Sequence, residues 1–205
     1  MKKLFTFLAL TISFSINAQM DDNSVGTSAT GPRSVAMGSF TTASGDYSTA
    51  MGESNTASGY TSTAMGAGNA ATGQRSTAMG NYTTASGNIS VAMGYNTLAT
   101  GGRSVAMGTY TRASDQNSLV IGQYNSSGYS ATSANSFSTS APAFVIGNGT
   151  SSSNKSDAFK VMFNGDATVS NDLTVSGILS IGGTSITSTA AELNYVDGVT
   201  SNVQT

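Results

Sequence analysis

A tandem repeat with a period of 14 residues constrains this chain more than any other feature of its sequence. The phrase Ser-Val-Ala-Met-Gly, or a close variant of it, occurs seven times between Ser34 and Gly122. A second phrase, Ala-Ser-Gly or Ala-Thr-Gly, follows half a period after each of the first five copies, and the sixth copy reads Ala113-Ser114-Asp115. So strict a period indicates a repeat architecture in which each unit packs on its neighbours.

The period is too short for a repeat that contains a helix, and it fits two short strands joined by two tight turns. Glycine occurs where each turn is expected, and glycine reaches positive φ at little cost. Asp115 takes the glycine position where the array ends, and we expect it to be a poorer turn residue. The predicted turn glycines are Gly38, Gly45, Gly52, Gly59, Gly66, Gly73, Gly80, Gly87, Gly94, Gly101, Gly108 and Gly122.

Strand alternation divides each phrase into two faces. Val35 and Met37 share one face, whereas Ser34, Ala36 and Gly38 share the other. The second strand adds alanines such as Ala43 to the set of small residues. Two strands so close together enclose a space that only small side chains fill. The sequence therefore predicts an alanine column inside each coil and a methionine column on an outer face.

The methionine column forms a straight apolar stripe, about 30 Å long if coils stack at ~4.8 Å. Exposed to water, such a stripe is an aggregation hazard. Buried, each side chain contributes roughly 1.5–3 kcal/mol. The stripe therefore predicts an oligomer interface closed by cyclic symmetry. The alternative is that these side chains point into a wider core of a single chain. The column comprises Met37, Met51, Met65, Met79, Met93, Met107 and Ile121.

The two phrases at this period resemble the head repeats of trimeric autotransporter adhesins, the YadA-like head. The Ser-Val-Ala-Ile-Gly of those repeats is similar to Ser34–Gly38, with Met37 in place of isoleucine. The resemblance covers residues 29–122. It implies an all-β, left-handed parallel β-roll (β-solenoid) that is trimeric and projects from a Gram-negative cell surface to bind host or environmental ligands. The number three comes from the resemblance alone.

Two columns of residues on the outer surface are examined by their composition as ligand surfaces. The first varies freely: Phe40, Ser54, Gly68, Tyr82, Asn96, Tyr110 and Tyr124. Its aromatic members, Phe40, Tyr82, Tyr110 and Tyr124, are a candidate ligand surface, with ordinary solvated surface as the alternative. The second column reads Thr42, Thr56, Ala70, Thr84, Leu98 and Arg112. Three of these six residues are not threonine, which argues against an ice-binding face.

Six segments are predicted along the chain. Residues 1–18 have the features of a secretory signal peptide, with Lys2 and Lys3 before an apolar run and cleavage near Ala18. The apolar run is shorter than the ~20 residues of a membrane-spanning anchor, the alternative interpretation. The remaining segments are a polar lead-in at 19–28, the β-roll head at 29–122, an irregular insertion and closing coil at 123–150, a β-strand neck or shaft at 151–187, and a short helix and tail at 188–205.

The last two segments carry local signals of their own. Alternating apolar residues from Phe159, followed by Asn164-Gly165-Asp166, predict a hairpin. A second alternating run extends from Leu173 to Ile181 and predicts further strands. Thr189–Glu192 has the form of a helix capping box. Residues 189–200 resemble a linker motif of phage tail-fibre and tailspike-like trimeric proteins; the alternative is a helix cap without that relationship.

Composition argues against catalysis and nucleic-acid binding. The chain contains no cysteine or histidine, which removes thiol chemistry, histidine-based triads and most transition-metal sites. The net charge of -2 and the absence of a basic patch argue against nucleic acid. The ten acidic residues are scattered and form neither the close carboxylate pair of a glycosidase nor a calcium loop. The sequence predicts no catalytic residue, cofactor or metal site.

These observations predict a secreted or cell-surface, non-catalytic adhesin head that forms a homotrimer. Its expected partners are extracellular matrix proteins, glycans or cell-surface receptors. The alternatives are a phage-type or secretion-system fibre component that recognises a receptor, or a purely structural surface fibre. The sequence holds neither a coiled-coil stalk nor membrane strands. We therefore expect no self-encoded membrane anchor: the chain is a fragment, is released, or attaches through a partner.

Overall fold

The computed structural model describes residues 20–21 and 25–186. The predicted signal peptide, the capping box and the phage-fibre-like motif lie outside these ranges, so those interpretations stay predictions. Within the described ranges every helix or strand assigned is a β-strand. No helix long and apolar enough to cross a membrane occurs there.

The repeat alternates five-residue strands with two-residue strands, in accordance with the two phrases of the sequence. In chain order the strands are β1 (Met20–Asp21), β2 (Ser28–Ala29), β3 (Val35–Ser39), β4 (Thr42–Ala43), β5 (Thr49–Glu53), β6 (Thr56–Ala57), β7 (Thr63–Ala67), β8 (Ala70–Ala71), β9 (Thr77–Asn81), β10 (Thr84–Ala85), β11 (Val91–Tyr95), β12 (Leu98–Ala99), β13 (Val105–Thr109), β14 (Arg112–Ala113) and β15 (Leu119–Gln123).

Two parallel sheets form the walls of a solenoid. The five-residue strands follow one another in a sheet of 11 strands, and the two-residue strands form a sheet of seven. Pairing joins residues one period apart, as in Met79 with Met93 and Ala85 with Ala99. The predicted β-solenoid of 14-residue coils is confirmed. The first sheet also includes β1, which pairs with β3 and lies within the segment predicted as a polar lead-in.

The core of the solenoid is a column of fully buried alanines, as predicted. Ser34, Thr41 and their equivalents in later coils are also buried. Val120 and Val145 fill the last coils. Small side chains dominate because the two sheets face each other across a single narrow layer. The alanine column comprises Ala36, Ala43, Ala50, Ala57, Ala64, Ala71, Ala78, Ala85, Ala92, Ala99, Ala106 and Ala113.

The two glycine columns serve different purposes. Gly38 and its equivalents sit near the end of each five-residue strand with φ between 93° and 131°, which only glycine adopts readily. Gly45 and its equivalents do not have positive φ. In both columns, however, a Cβ would lie closer than 3.0 Å to backbone of the next coil. The sequence-based reason for glycine, a positive φ, therefore applies to the first column and not to the second, and coil stacking leaves no room for a side chain in either.

Two buried asparagines crosslink neighbouring coils. The Asn69 Nδ2 group donates to the Asn55 Oδ1 atom at 3.0 Å and to the Met65 and Gly80 carbonyl oxygens at 2.8 Å each. Asn69 Oδ1 accepts from the backbone N–H and hydroxyl of Thr83 at 2.9 and 2.7 Å. One amide therefore satisfies donors and acceptors in three coils. Thr97 occupies the same position two coils later, and its buried hydroxyl has no hydrogen-bond partner.

We expect Asn69→Ala to lower the free energy of unfolding by about 3 kcal/mol or more, because several buried backbone and side-chain groups lose their partner. Thr97→Ala is the matched control, since it removes a side chain from the same column without breaking a hydrogen bond. Chemical denaturation of both variants measures the difference. Equal losses of stability would contradict the importance of the asparagine crosslink.

A strand hairpin covers the C-terminal end of the larger sheet. Strands β16 (Pro142–Asn148), β17 (Asp157–Met162) and β18 (Ala167–Val169) follow β15 in its strand order. Strand β16 pairs with β15 in the register of the repeat, so the strand stacking of the solenoid continues into β16. Strand β17 then runs antiparallel along β16, and the turn to β18 has Gly165 at φ 96°. The predicted hairpin is confirmed, and it pairs the strand edge that β16 would otherwise expose.

The insertion between β15 and β16 caps the smaller sheet. The Asn125 side chain accepts from the Arg112 backbone N–H at 2.8 Å and donates to the Arg112 carbonyl at 2.9 Å. Asp115 is fully buried, and its Oδ1 atom accepts the backbone N–H groups of Thr132 and Ser133 at 2.6 Å each. The expectation that Asp115 is merely a poorer turn residue is therefore wrong. Its carboxylate joins the last regular coil to the insertion.

Residues from Asn171 onward form a separate unit. Its described part contains one small antiparallel hairpin, β19 (Ser180–Ile181) with β20 (Thr184–Ser185). The predicted strand at Leu173 and Val175 is wrong, because both residues lie outside the strands. Leu173 and Ile181 are 69% and 66% exposed, so the apolar alternation finds no packing surface within residues 171–186. A two-stranded hairpin alone is marginally stable in water.

Candidate assembly and ligand surfaces

The methionine column lies on the outer face of the larger sheet. Met37 and Met107 are 40% and 38% exposed, and the other members are half-buried against one another. The register aligns the column without a break from Met37 to Ile121, and Ile146 continues it. The alternative that these side chains fill a wider single-chain core is wrong, because the alanine column already fills the lumen. The stripe is an apolar surface that the described residues leave uncovered.

The aromatic column occupies the corner between the two sheets. Tyr110 and Tyr124 stack with ring centroids 4.7 Å apart, and Tyr95 meets Tyr110 edge-on at 5.4 Å. The hydrogen bond with Tyr110 raises the pKa of the Tyr95 hydroxyl above its ordinary value. Phe40 and Tyr82 are 58% and 62% exposed, and neither ring contacts another ring among the described residues. The structure therefore brings two of the four candidate residues together and adds Tyr95.

This corner holds aromatic residues in a strained backbone conformation. Phe40, Tyr82, Tyr110 and Tyr124 have φ between 42° and 54°. The left-handed region costs roughly 1–2 kcal/mol for a residue with a side chain. Gly68 occupies the same column without that cost. Ser54 and Asn96 in the same column, and Tyr47 and Ile89 at the opposite corner, adopt the same conformation, so it belongs to the turns of the coil.

A pocket beside Tyr110 was missed by the sequence analysis. It is lined by Asn96, Leu98, Tyr110, Arg112 and Tyr129, and it holds about 140 Å³. The period places the first four residues in adjacent coils, so their proximity was predictable from the two outward columns. Tyr129 was not predictable, because it comes from the aperiodic insertion.

The opposite corner carries a ladder of tyrosine and arginine side chains, which the sequence analysis also missed. The Arg33 guanidinium donates to the Tyr47 hydroxyl at 2.6 Å, and the Tyr47 ring meets Tyr60 at 5.8 Å. Arg75 lies 5.8 Å from the Tyr60 ring centroid. These contacts join residues about one period apart across exposed turns. They supply modest surface stabilisation.

Acidic side chains are the remaining candidates for a metal site, because the chain contains no cysteine or histidine. Residues 20–21 and 25–186 contain no group of three or more acidic, cysteine or histidine side chains placed to hold a metal ion. Asp115 and Asp157 both accept backbone N–H groups of the insertion. Their carboxylates therefore have a structural role.

Comparison with known protein families gives matches along the whole solenoid. The YadA head domain repeat matches residues 25–41, 29–52, 43–69, 71–97 and 99–125. The matched ranges contain β2 to β15 and therefore the methionine column from Met37 to Ile121 and the aromatic corner. A search of curated proteins gives no significant match.

Proposed function

From the premise that residues 25–125 belong to the YadA head repeats, a family of cell-surface adhesin heads, we propose that this chain forms a homotrimeric, non-catalytic head that attaches its cell to host tissue, matrix or other cells. The observation that carries the proposal is the methionine column. It is a straight apolar stripe outside a coil whose own core is complete.

Burial of this stripe requires more than one chain. Three copies arranged around an axis parallel to the solenoid would face their methionine columns toward one another and close the assembly. Each buried methionine would contribute roughly 1.5–3 kcal/mol. The family supports the number three, since YadA-like heads form homotrimers.

The rest of the surface suits attachment. Stacked coils give a rigid scaffold, and the corners display aromatic and cationic side chains to solvent. Rigid presentation lowers the entropy lost on binding. Removal of residues 1–18 would release a mature head outside the cytoplasm, consistent with surface display of the family.

The proposal is tested with the mature chain from Gln19 on immobilised matrix proteins, a glycan array and whole cells. We expect a trimer in solution and saturable adhesion to at least one of these surfaces. Trivalent binding can exceed the single-site affinity by about 10²–10⁴-fold, so a monomeric variant should adhere far more weakly. A stable trimer that adheres to none of the surfaces would overturn the adhesin function and favour a purely structural fibre.

A further inference from the structure

The pocket at the C-terminal end of the solenoid is assembled from three parts of the chain. Asn96 and Tyr110 come from the aromatic corner of consecutive coils, and Leu98 and Arg112 come from β12 and β14. Tyr129 comes from the insertion and forms another wall. The pocket therefore exists only where the regular array meets its cap.

Two positive charges lie against the ring of Tyr129, and one of them, Arg112, lines the pocket. The Arg112 guanidinium carbon lies 4.6 Å from the Tyr129 ring centroid, and the Lys155 Nζ atom lies 4.1 Å from it. Neither cation forms an ion pair with any described residue. The carboxylate of Asp157, two residues from Lys155, is already engaged by the Ser126 and Ser127 N–H groups at 2.8 Å each.

This charge arrangement favours an anionic ligand. The Arg112 guanidinium stands at the pocket wall, so an anion bound there gains a Coulomb attraction. A guanidinium binds a carboxylate or sulfate through charge-assisted hydrogen bonds, which are about twice as strong as neutral ones. Arg112 is therefore suited to receive one negatively charged group, whereas Lys155 lies outside the pocket lining and donates to the Ser152 carbonyl at 2.6 Å.

The other walls match a sugar ring. Tyr110 combines an apolar ring face with a polar hydroxyl, and Leu98 adds apolar surface. The Tyr129 ring, which the two cations contact, closes a further wall. The Asn96 amide supplies donors and an acceptor for hydroxyl groups. The volume of about 140 Å³ is below that of pockets for drug-sized ligands, so it accommodates one ring and leaves the remaining glycan outside. An acidic peptide side chain would use the cations and leave these walls unused.

The pocket is also held in shape before a ligand arrives. The Ser114 hydroxyl donates to the Tyr129 carbonyl at 3.1 Å, and Asn125 binds the backbone of Arg112 on both sides. Arg112 belongs to the seven-stranded sheet, whereas the methionine column lies on the 11-stranded sheet. The trimer described above therefore leaves three copies of the pocket open to solvent.

We propose that this pocket binds a terminal anionic monosaccharide of a surface glycan, with its carboxylate or sulfate at Arg112. The inference rests on the proposed adhesin function and names its ligand class. The aromatic column supplies Tyr110 to the pocket, so the strained corner and the cap act together as one binding site.

Isothermal titration of the trimeric mature chain tests the ligand class. The probes are N-acetylneuraminic acid and glucuronic acid for carboxylated sugars, galactose 6-sulfate for sulfated sugars, galactose as the neutral control and a glutamate-containing hexapeptide. We expect saturable binding of at least one anionic sugar, weakened by added salt. The preferred probe identifies the source of the charge. Absence of binding, equal binding of galactose or equal binding of the peptide would overturn the proposal.

Two substitutions locate the binding. Arg112→Gln should lower the affinity for the anionic sugar by about tenfold or more, since one charged hydrogen bond is lost. Lys155→Gln removes a cation outside the pocket lining and should lower the affinity less. Arg75→Gln is the matched control, because Arg75 also contacts a tyrosine ring but at the opposite corner. Equal affinity of Arg112→Gln and the parent chain would exclude this pocket as the site.

Adhesion assays separate this inference from the function on which it rests. If the parent trimer adheres and Arg112→Gln adheres equally, without competition by the sugars, the pocket proposal fails and the adhesin function stands. If the parent trimer adheres to no surface, the adhesin function itself fails.

Discussion

Replacing Gly101 by alanine is expected to lower the free energy of unfolding by about 4 kcal/mol or more, a loss in the range reserved for severe steric conflict. A Cβ at this position would lie closer than 3.0 Å to the carbonyl carbon and oxygen of Asp115 in the next coil. Backbone cannot move aside as a flexible side chain does. Asp115 is fixed further by the N–H groups of Thr132 and Ser133, so relaxation would disrupt the cap.

Gly102→Ala is the control, one residue away in the same turn. Its Cβ would make ordinary contacts, the nearest being 3.6 Å from the Ala134 carbonyl and the Gln116 side chain. Gly102 does not have positive φ, so alanine should stabilise the fold by roughly 0.4–1 kcal/mol through the unfolded state. Thermal and denaturant unfolding of both variants give the comparison. Similar stabilities would show that the coils can separate to admit a side chain.

The contrast between these two glycines shows what the sequence could and could not predict. In a repeat fold, residues one period apart are neighbours, so parity and period were enough to place Ala36 inside and Met37 outside. The same reasoning predicted glycine in the Gly101 column but attributed it to turn conformation. The space for a side chain depends on the distance between the backbones of neighbouring coils, and the pattern of residue types does not reveal that distance.

Aperiodic segments escaped the sequence analysis for a different reason. Asp115 binds Thr132 and Ser133, and Arg112 approaches Tyr129, through a loop whose path no periodicity fixes. The run from Leu173 to Ile181 alternates as a strand does, yet only Ser180–Ile181 pairs. Alternation predicts a strand only when a partner and a packing surface are available. The candidate binding pocket lies where the periodic coils, whose structure the sequence predicts, meet the aperiodic insertion, whose path it does not.

Replacing Met79 by aspartate is expected to convert the proposed trimer into monomers. Met79 lies at the centre of the methionine column, paired in register with Met65 and Met93. In a cyclic assembly the substitution would bring three carboxylates together in an apolar interface, where burial of unpaired charge is strongly unfavourable. The lumen should remain intact, because Ala78 and the rest of the alanine column do not contact the outer face. Light scattering measures the mass, and circular dichroism reports the retained β-structure.

Two variants identify the interface as the cause of any dissociation. Met79→Leu conserves volume and apolarity, so it should remain trimeric with a stability change under about 1.5 kcal/mol. Thr84→Asp introduces the same charge in the same coil on the seven-stranded sheet, and it should also remain trimeric. A trimeric Met79→Asp chain would refute the methionine interface. If Thr84→Asp dissociates the trimer and Met79→Asp does not, the interface lies on the seven-stranded sheet, over the proposed sugar pocket.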